Sequence, residues 1–332
     1  MVYLTGDTHG WIDIHKLRRA MWPEGGRLTR DDLLVILGDF GMYWEPTLRG
    51  RLKGCMDWLE SQPWTTLWLD GNHENHAVVA AEPVAEMFGG TVGTHPRYPH
   101  VVHLRRGEAY DLPLGGGATA SVWVMGGARS VDRAWRVPGE SWWPGELPSS
   151  EEMGRGLRTL AARGWRVDYV LTHDCPHRIK REVLAWRDSW GEGPDSDPLD
   201  LYLDEVDARL SRRRWYFGHH HVDRSWHGGR YACLFQQVVP LGGLPGGPGG
   251  GEGRLLVEPS RASGLLDLDE VAEEMRLEGA DVSRDEAARA MARCGCEIEP
   301  GTGRALFRAG DLAHVRMWAS RHRRWRGAGD GR

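Results

Sequence analysis

Eight side chains in this 332-residue chain are of the kinds that hold divalent metals or move protons, and each lies just after a short apolar run. Asp7 and His9 follow Val2–Thr5, Asp39 follows Leu33–Leu37, and Asn72 and His73 follow residues 66–69. His173 follows Tyr169–Thr172, and His219 and His221 follow residues 215–217. Carboxylate, imidazole and amide oxygen are the donors that suit hard and borderline divalent ions. Two such ions, roughly 3.5–4 Å apart, share a bridging carboxylate and water, produce a nucleophile near neutral pH and offset charge on phosphoryl oxygens. A positioned imidazole then protonates the leaving oxygen. The chain supplies each part. Asp7 and His9 alternate on one loop, Asp39 is placed to bridge, and Asn72 offers an amide oxygen. His173, His219 and His221 offer imidazoles, and His73 offers an acid. A single Gly-Asp or His-His pair is ordinarily a turn or a solvated surface. Five of the fifteen His standing after strand-like runs, with two Asp and one Asn, are not explained by five independent turns.

The apolar runs are the elements that must position these groups. Runs of four or five aliphatic or β-branched residues ending in Gly, Asp, Asn or His read as buried strands. Residues 48–61 and Ser150–Ala162 carry helical apolar spacing. Alternation of strand and helix predicts an α/β layered fold, in which polar groups gather at the carboxyl ends of the strands. Gly6, Gly38, Gly71 and Gly218 precede the polar residues, where a Cβ would crowd a sharp turn. Between residues 92 and 130 the pattern changes. Val101–Leu104, residues 108–112 and Ala118–Met125 read as consecutive antiparallel strands, and residues 231–239 as one more, which predicts a second sheet packed on the first.

Composition narrows the class. Hydrophobic content of 40% and charged content of 27% are those of a globular protein. A formal net charge of -5 argues against nucleic-acid binding by the molecule as a whole. No apolar run approaches the ~20 residues of a membrane span, and the start lacks the basic and apolar pattern of a signal peptide. The five Cys are scattered and odd in number, which favours a reducing cytoplasm over a disulfide framework. Cys294 and Cys296, with no second pair at zinc-site spacing, read as ordinary thiols.

The order Gly-Asp-x-His, Gly-Asp, Gly-Asn-His-Glu, His, Gly-His-x-His resembles that of the calcineurin-like metallophosphoesterase superfamily over residues 1–240. The resemblance implies an α/β fold, a four-layer α-β-β-α sandwich of two mixed sheets flanked by helices, with two metal ions of the Mn, Fe or Zn kind. By motif position, Asp7, His9 and His221 would hold one ion and Asn72, His173 and His219 the other, with Asp39 bridging and His73 as general acid. Glu74 would stabilise its turn, and His220 would point away from the metals. The implied activity is hydrolysis of phosphate mono- or diesters. The superfamily's protein Ser/Thr phosphatases carry Gly-Asp-x-Val-Asp-Arg-Gly at the second motif. Residues 38–44 here read Gly-Asp-Phe-Gly-Met-Tyr-Trp, so the phosphate-gripping Arg and the acid that orients the His are missing. Residues 126–132 and 141–144 are similar to a little-characterised bacterial and phage branch. Arg129, and after it Arg133 and Arg136, are the candidates for a replacement clamp, since a planar guanidinium grips phosphate bidentately. Trp142 and Trp143 are read as core packing ahead of stacking on substrate.

After Pro240 the composition breaks. Residues 241–263 form a Gly/Pro-rich linker, and residues 264–332 a small helical region or a partly disordered tail. Leu268, Val271, Ala272 and Met275 carry helical spacing, Ser283 with Glu286 makes a capping box, and Leu312, Val315 and Ala319 mark a third helix. Residues 321–326 are basic with an inserted Trp, which raises nucleic-acid recruitment as an alternative role. A non-catalytic binding module on the same fold is the other alternative, and the presence of His73 weighs against it.

Overall fold

The computed structural model describes residues 1–130, 133, 136–187, 196–246, 265–267, 297–298 and 305–308. Contacts divide the chain into two units, Met1–Gly253 and Arg254–Arg332.

In the first unit two mixed sheets lie face to face. Sheet one contains β1 (Val2–Thr5), β2 (Leu33–Leu37), β3 (Thr65–Leu69), β4 (Val84–Met87), β5 (Gly90–Gly93) and β6 (Val101–Leu104). Sheet two contains β7 (Ala109–Gly115), β8 (Ala118–Met125), β9 (Tyr169–Thr172), β10 (Arg214–Phe217), β11 (Arg224–Trp226) and β12 (Tyr231–Cys233). The short β13 (Val239–Pro240) returns to sheet one. The strand orders are β13-β1-β2-β3-β6-β5-β4 and β11-β12-β10-β9-β8-β7. β1, β2, β3 and β6 run parallel, as do β8, β9, β10 and β12.

Side chains alternate between faces with period two, and both faces are covered. Leu33, Val35 and Leu37 of β2 meet Val122 and Val124 of β8, Leu171 of β9 and Tyr216 of β10 in the core between the sheets. Leu34 and Ile36 point outward, into a cluster with Met56 and Leu59 of α1 (Gly50–Ser61). On the other side, Trp123, Val170, Trp215 and Phe217 pack outward with residues of α3 (Ser150–Ala162), α4 (His177–Arg187) and α5 (Pro198–Arg209). The result is the α-β-β-α layering expected. The one-turn α2 (His76–Ala80) follows β3. Helix α3 starts where its capping box dictates, with Ser149 and Glu152 each accepting from the other's backbone N–H.

Two pairings differ from the sequence reading. Val101–Leu104 does not join a meander with β7 and β8. It runs parallel beside β3 in sheet one, with the hairpin β4–β5 as its outer neighbour. Residues 231–239 are not one strand. β12 belongs to sheet two and β13 to sheet one, because the Asp223 carboxylate accepts from the backbone N–H of Phe235, Gln236 and Gln237 and so turns the chain between the sheets.

In the second unit, read from the sequence as a small helical region or a partly disordered tail, the described residues are strands. Leu265–Asp267 (β14), Glu297–Ile298 (β15) and Ala305–Arg308 (β16) form an antiparallel sheet in the order β14-β16-β15. Residues 305–307 are a short apolar run, which suits a strand. The helices expected around residues 268–275, 283–286 and 312–319, the basic stretch 321–326, Cys294 and Cys296 lie outside the described residues, as does most of the 241–263 linker. Among the described residues no helix is long and apolar enough to cross a membrane.

Candidate metal centre

All eight residues singled out by type and spacing meet at the carboxyl ends of β1, β2, β3, β9 and β10. Donor atoms of Asp7, His9 and His221 lie within 4.8 Å of one another, as do those of Asp39, His173 and His219, and those of His9, Asp39 and His73. Asp39 stands between the first two sets. Its Oδ2 is 3.4 Å from His9 Nε2 and its Oδ1 is 3.2 Å from His173 Nε2. On the first side, His221 Nε2 is 3.2 Å from Asp7 Oδ2. On the second, Asn72 Oδ1 is 3.3 Å from His173 Nε2. His73 Nε2 is 3.7 Å from Asp39 Oδ2.

The local backbone is bent to make this possible. His9 (φ 44°), Asp39 (φ 44°), His219 (φ 63°) and His221 (φ 52°) all occupy the left-handed region, which non-glycine residues seldom adopt. The glycines beside them leave room that no side chain can take. A Cβ on Gly71 would run into Asp39 Oδ1, and one on Gly218 would run into Asp7 Oδ1.

Hydrogen bonds decide which imidazole nitrogen faces the cluster. His9 Nδ1 is 2.7 Å from Asp13 Oδ2, and His173 Nδ1 is 2.7 Å from the Leu37 carbonyl oxygen. Each carries its proton on Nδ1, directed at an acceptor outside, and turns Nε2 inward, the arrangement that a metal-ligating His adopts. Burial opposes charge on both rings, but the Asp13 and Asp39 carboxylates outweigh it and push His9 up to about 10, and Asp39 and Asp7 do the same for His173, also to about 10. Burial takes His219 down to about 3. Burial also opposes the charge on Asp7 and Asp39, yet the surrounding His hold Asp7 at about 2 and Asp39 well below the usual carboxylate range.

These donors fit a metal pair. The set is carboxylate, imidazole and amide oxygen, facing inward on residues that are buried except for the half-buried His219 and His221, with Asp39 directing one oxygen to each half.

The remaining candidates divide. Glu74 is wholly buried and accepts from the backbone N–H of Gly41 and Gly71, so it braces the turn as expected. His220 turns away, with Nε2 3.1 Å from Asp174 Oδ1. Trp142 and Trp143 are buried, and Trp143 packs on Trp44, whose ring is 6.3 Å from that of His73. Arg129, the favoured clamp, is exposed, and Arg133, also exposed, lies over the Trp142 ring at 4.1 Å. The arginine set against the cluster is Arg136, whose Nη1 and Nη2 are 3.4 and 3.3 Å from the two ring nitrogens of His73.

Several supporting groups were not read from the sequence. Asp13 is one, although its place four residues after His9 was a usable signal. Buried Lys16 donates to the carbonyls of Gly6, Asp7 and Phe235 and so gathers the first loop. Arg106, Ser130 and Glu146 carry no local signal at all.

The family profile described as calcineurin-like phosphoesterase matches residues 1–223. A search among curated proteins gave no match. Among solved structures the chain is similar to a phosphopantetheinyl hydrolase from Mycobacterium tuberculosis, at 14% identity and a TM-score of 0.34, over 70% of this chain and 89% of that one.

Proposed function

The chain belongs to the calcineurin-like phosphoesterase family, whose members are metal-dependent, and from that premise we propose that it hydrolyses phosphate mono- or diesters at a dinuclear centre. Asp7, His9 and His221 would hold one ion, Asn72, His173 and His219 the other, and Asp39 would bridge them. The ions, of the Mn, Fe or Zn kind by ligand type, would supply a water acidified for attack and would offset charge on the phosphoryl oxygens. His73, at the edge of the cluster, would deliver a proton to the leaving oxygen. Asp39 accepts from the His73 backbone N–H at 2.8 Å, which ties the acid's position to the bridging carboxylate. Arg136, against His73, pairs with a phosphoryl oxygen of the bound ester.

The observation that carries the proposal is Asp39, buried, with one oxygen toward each half of the donor set. The test is turnover of aryl phosphate mono- and diesters by stripped protein with and without added Mn²⁺. Metal-dependent hydrolysis, absent in Asp39→Ala, is the expected result. Protein that binds metal yet turns over none of a broad phosphoester panel would sink the proposal.

A further inference from the structure

An amide ligand has an ambiguity that a carboxylate or imidazole lacks. Its two ends are nearly the same shape, but only the oxygen binds a cation, and the NH₂ end repels it. Something must therefore choose which end of Asn72 faces the cluster. His173 Nε2, 3.3 Å from the amide oxygen, is itself one of the inward-facing donors and is no fixed partner for the amide. The choice is made on the opposite side of the amide.

We infer that Ser130 and Glu146 form a lock that holds the Asn72 amide with its oxygen toward the metal cluster. Asn72 Nδ2 donates to Ser130 Oγ at 3.2 Å. Ser130 Oγ is 2.5 Å from Glu146 Oε2, and the same oxygen accepts the Ser130 backbone N–H at 3.2 Å. A hydroxyl has one hydrogen. Glu146 Oε2 is an acceptor toward the backbone, so the hydroxyl hydrogen goes to it as well. Ser130 Oγ is left with lone pairs only and can be met only by an N–H. The amide nitrogen therefore faces Ser130 and the oxygen faces the cluster. The three residues are 3%, 2% and 1% exposed, so water has no access to replace either bond.

Glu146 is itself fixed to the loop it controls. Arg106 donates from Nη2 to the carbonyls of Gly145 and Glu146, at 2.9 and 3.3 Å, and from Nε to Asp70 Oδ2 at 2.7 Å. Asp70 lies two residues before Asn72, and its carbonyl accepts from Gly127 N–H at 2.8 Å. One buried guanidinium thus sets the spacing between the turn that carries Glu146 and the loop that carries Asn72. Ser130 and Glu146 are positioning residues in this scheme, since neither is among the inward-facing donors.

The inference rests on the dinuclear reading above, and its test separates the two. Mn²⁺ binding to whole protein is measured by equilibrium dialysis with metal counting for wild type, Ser130→Ala, Asn72→Asp and the double variant. With Asn72 in place, Ser130→Ala is expected to weaken the weaker of two sites by about 10–100-fold. In the Asn72→Asp background the same change is expected to cost nothing, because both ends of a carboxylate are oxygens. Glu146→Gln, which still offers an oxygen to Ser130, is expected to keep both ions, and Glu146→Leu to lose affinity as Ser130→Ala does. Equal losses from Ser130→Ala in both backgrounds would overturn the lock, as would two ions held with unchanged affinity in Ser130→Ala. Wild-type protein that binds fewer than two Mn²⁺ would overturn the dinuclear reading, and the lock with it.

Discussion

Two buried clusters in this molecule both bring carboxylate and imidazole together and behave as opposites. One is the Asp7, His9, Asp39, His173, His219 and His221 set. The other lies behind it, where Asp174, Cys175 and His220 also bring ligand atoms within 4.8 Å of one another. The second cluster contains a cation of its own. Lys180, buried, places Nζ 2.5 Å from Asp174 Oδ2 and 3.2 Å from Asp200 Oδ2. Asp197 and Asp200 are further occupied in the capping box of α5. Burial opposes the Lys180 charge, but the three Asp outweigh it and hold the ammonium above its usual range. In the first cluster, among the described residues, the ion-pair partners of Asp7 and Asp39 are all His. Lys16 approaches it only through backbone carbonyls. Proximity of carboxylate and imidazole is therefore not the mark of a metal site. The mark is a donor set whose positive charge sits on imidazoles that can release a proton, not on a fixed ammonium.

That contrast can be broken or sharpened by experiment. Asp39→Ala removes the carboxylate shared by both halves of the first cluster, and Mn²⁺-dependent turnover should fall to background in initial-rate assays. Retention of more than about a tenth of the activity, against the several kcal/mol a metal centre supplies, would refute the bridging role. His73→Ala should reduce kcat by about 10²–10⁴-fold with the bound-metal count unchanged, and a loss of metal would reassign His73 as a ligand. Lys180→Met acts on the second cluster and should leave the metal count alone. It should cost about 3–5 kcal/mol in denaturant unfolding, because it strands buried carboxylates without a partner. A cost under about 1 kcal/mol would show that the carboxylates simply protonate.

Arg136→Ala should lower kcat/KM by about 10–100-fold, the loss of one charge-assisted hydrogen bond, while Arg133→Ala should not change it. A loss from Arg129→Ala with none from Arg136→Ala would restore the arginine first favoured from the sequence. A separate effect is in pH. His9 and His173 are raised to about 10, so in the metal-free protein they carry protons at neutrality that an incoming ion must displace. Mn²⁺ affinity should therefore climb with pH through neutrality toward about 10, by at most about tenfold per unit for each proton released. Calorimetry in buffers of different ionisation enthalpy would count those protons, and a count of zero would contradict the inward-facing charged imidazoles.

The donor set was legible in the sequence because each donor stands directly after a strand, so a run of four or five apolar residues both reveals the strand and points to the residue that matters. Helix α3 was legible to the residue because its capping box is local. Sheet membership was not. β6 and β13 are placed by pairing with strands that lie far away along the chain, which apolar spacing does not encode. The same holds for the groups that orient the donors. Asn72 and Ser130 are 58 positions apart, and Asp70 and Arg106 are 36. Among Arg129, Arg133 and Arg136 the composition is identical, and only the folded chain distinguishes the one beside His73 from the one stacked on Trp142.

Four of the proposed ligands sit in backbone geometry that glycine would occupy freely. Such a position costs a non-glycine residue about 1–3 kcal/mol. Under selection for thermostability alone, in a laboratory library with no demand for turnover, replacement of His219 by glycine would rank among the rewarded changes, whereas glycine at His9 or His221 would also strand a buried carboxylate. The metal centre would be the first part of this protein to erode, and the sandwich beneath it the last.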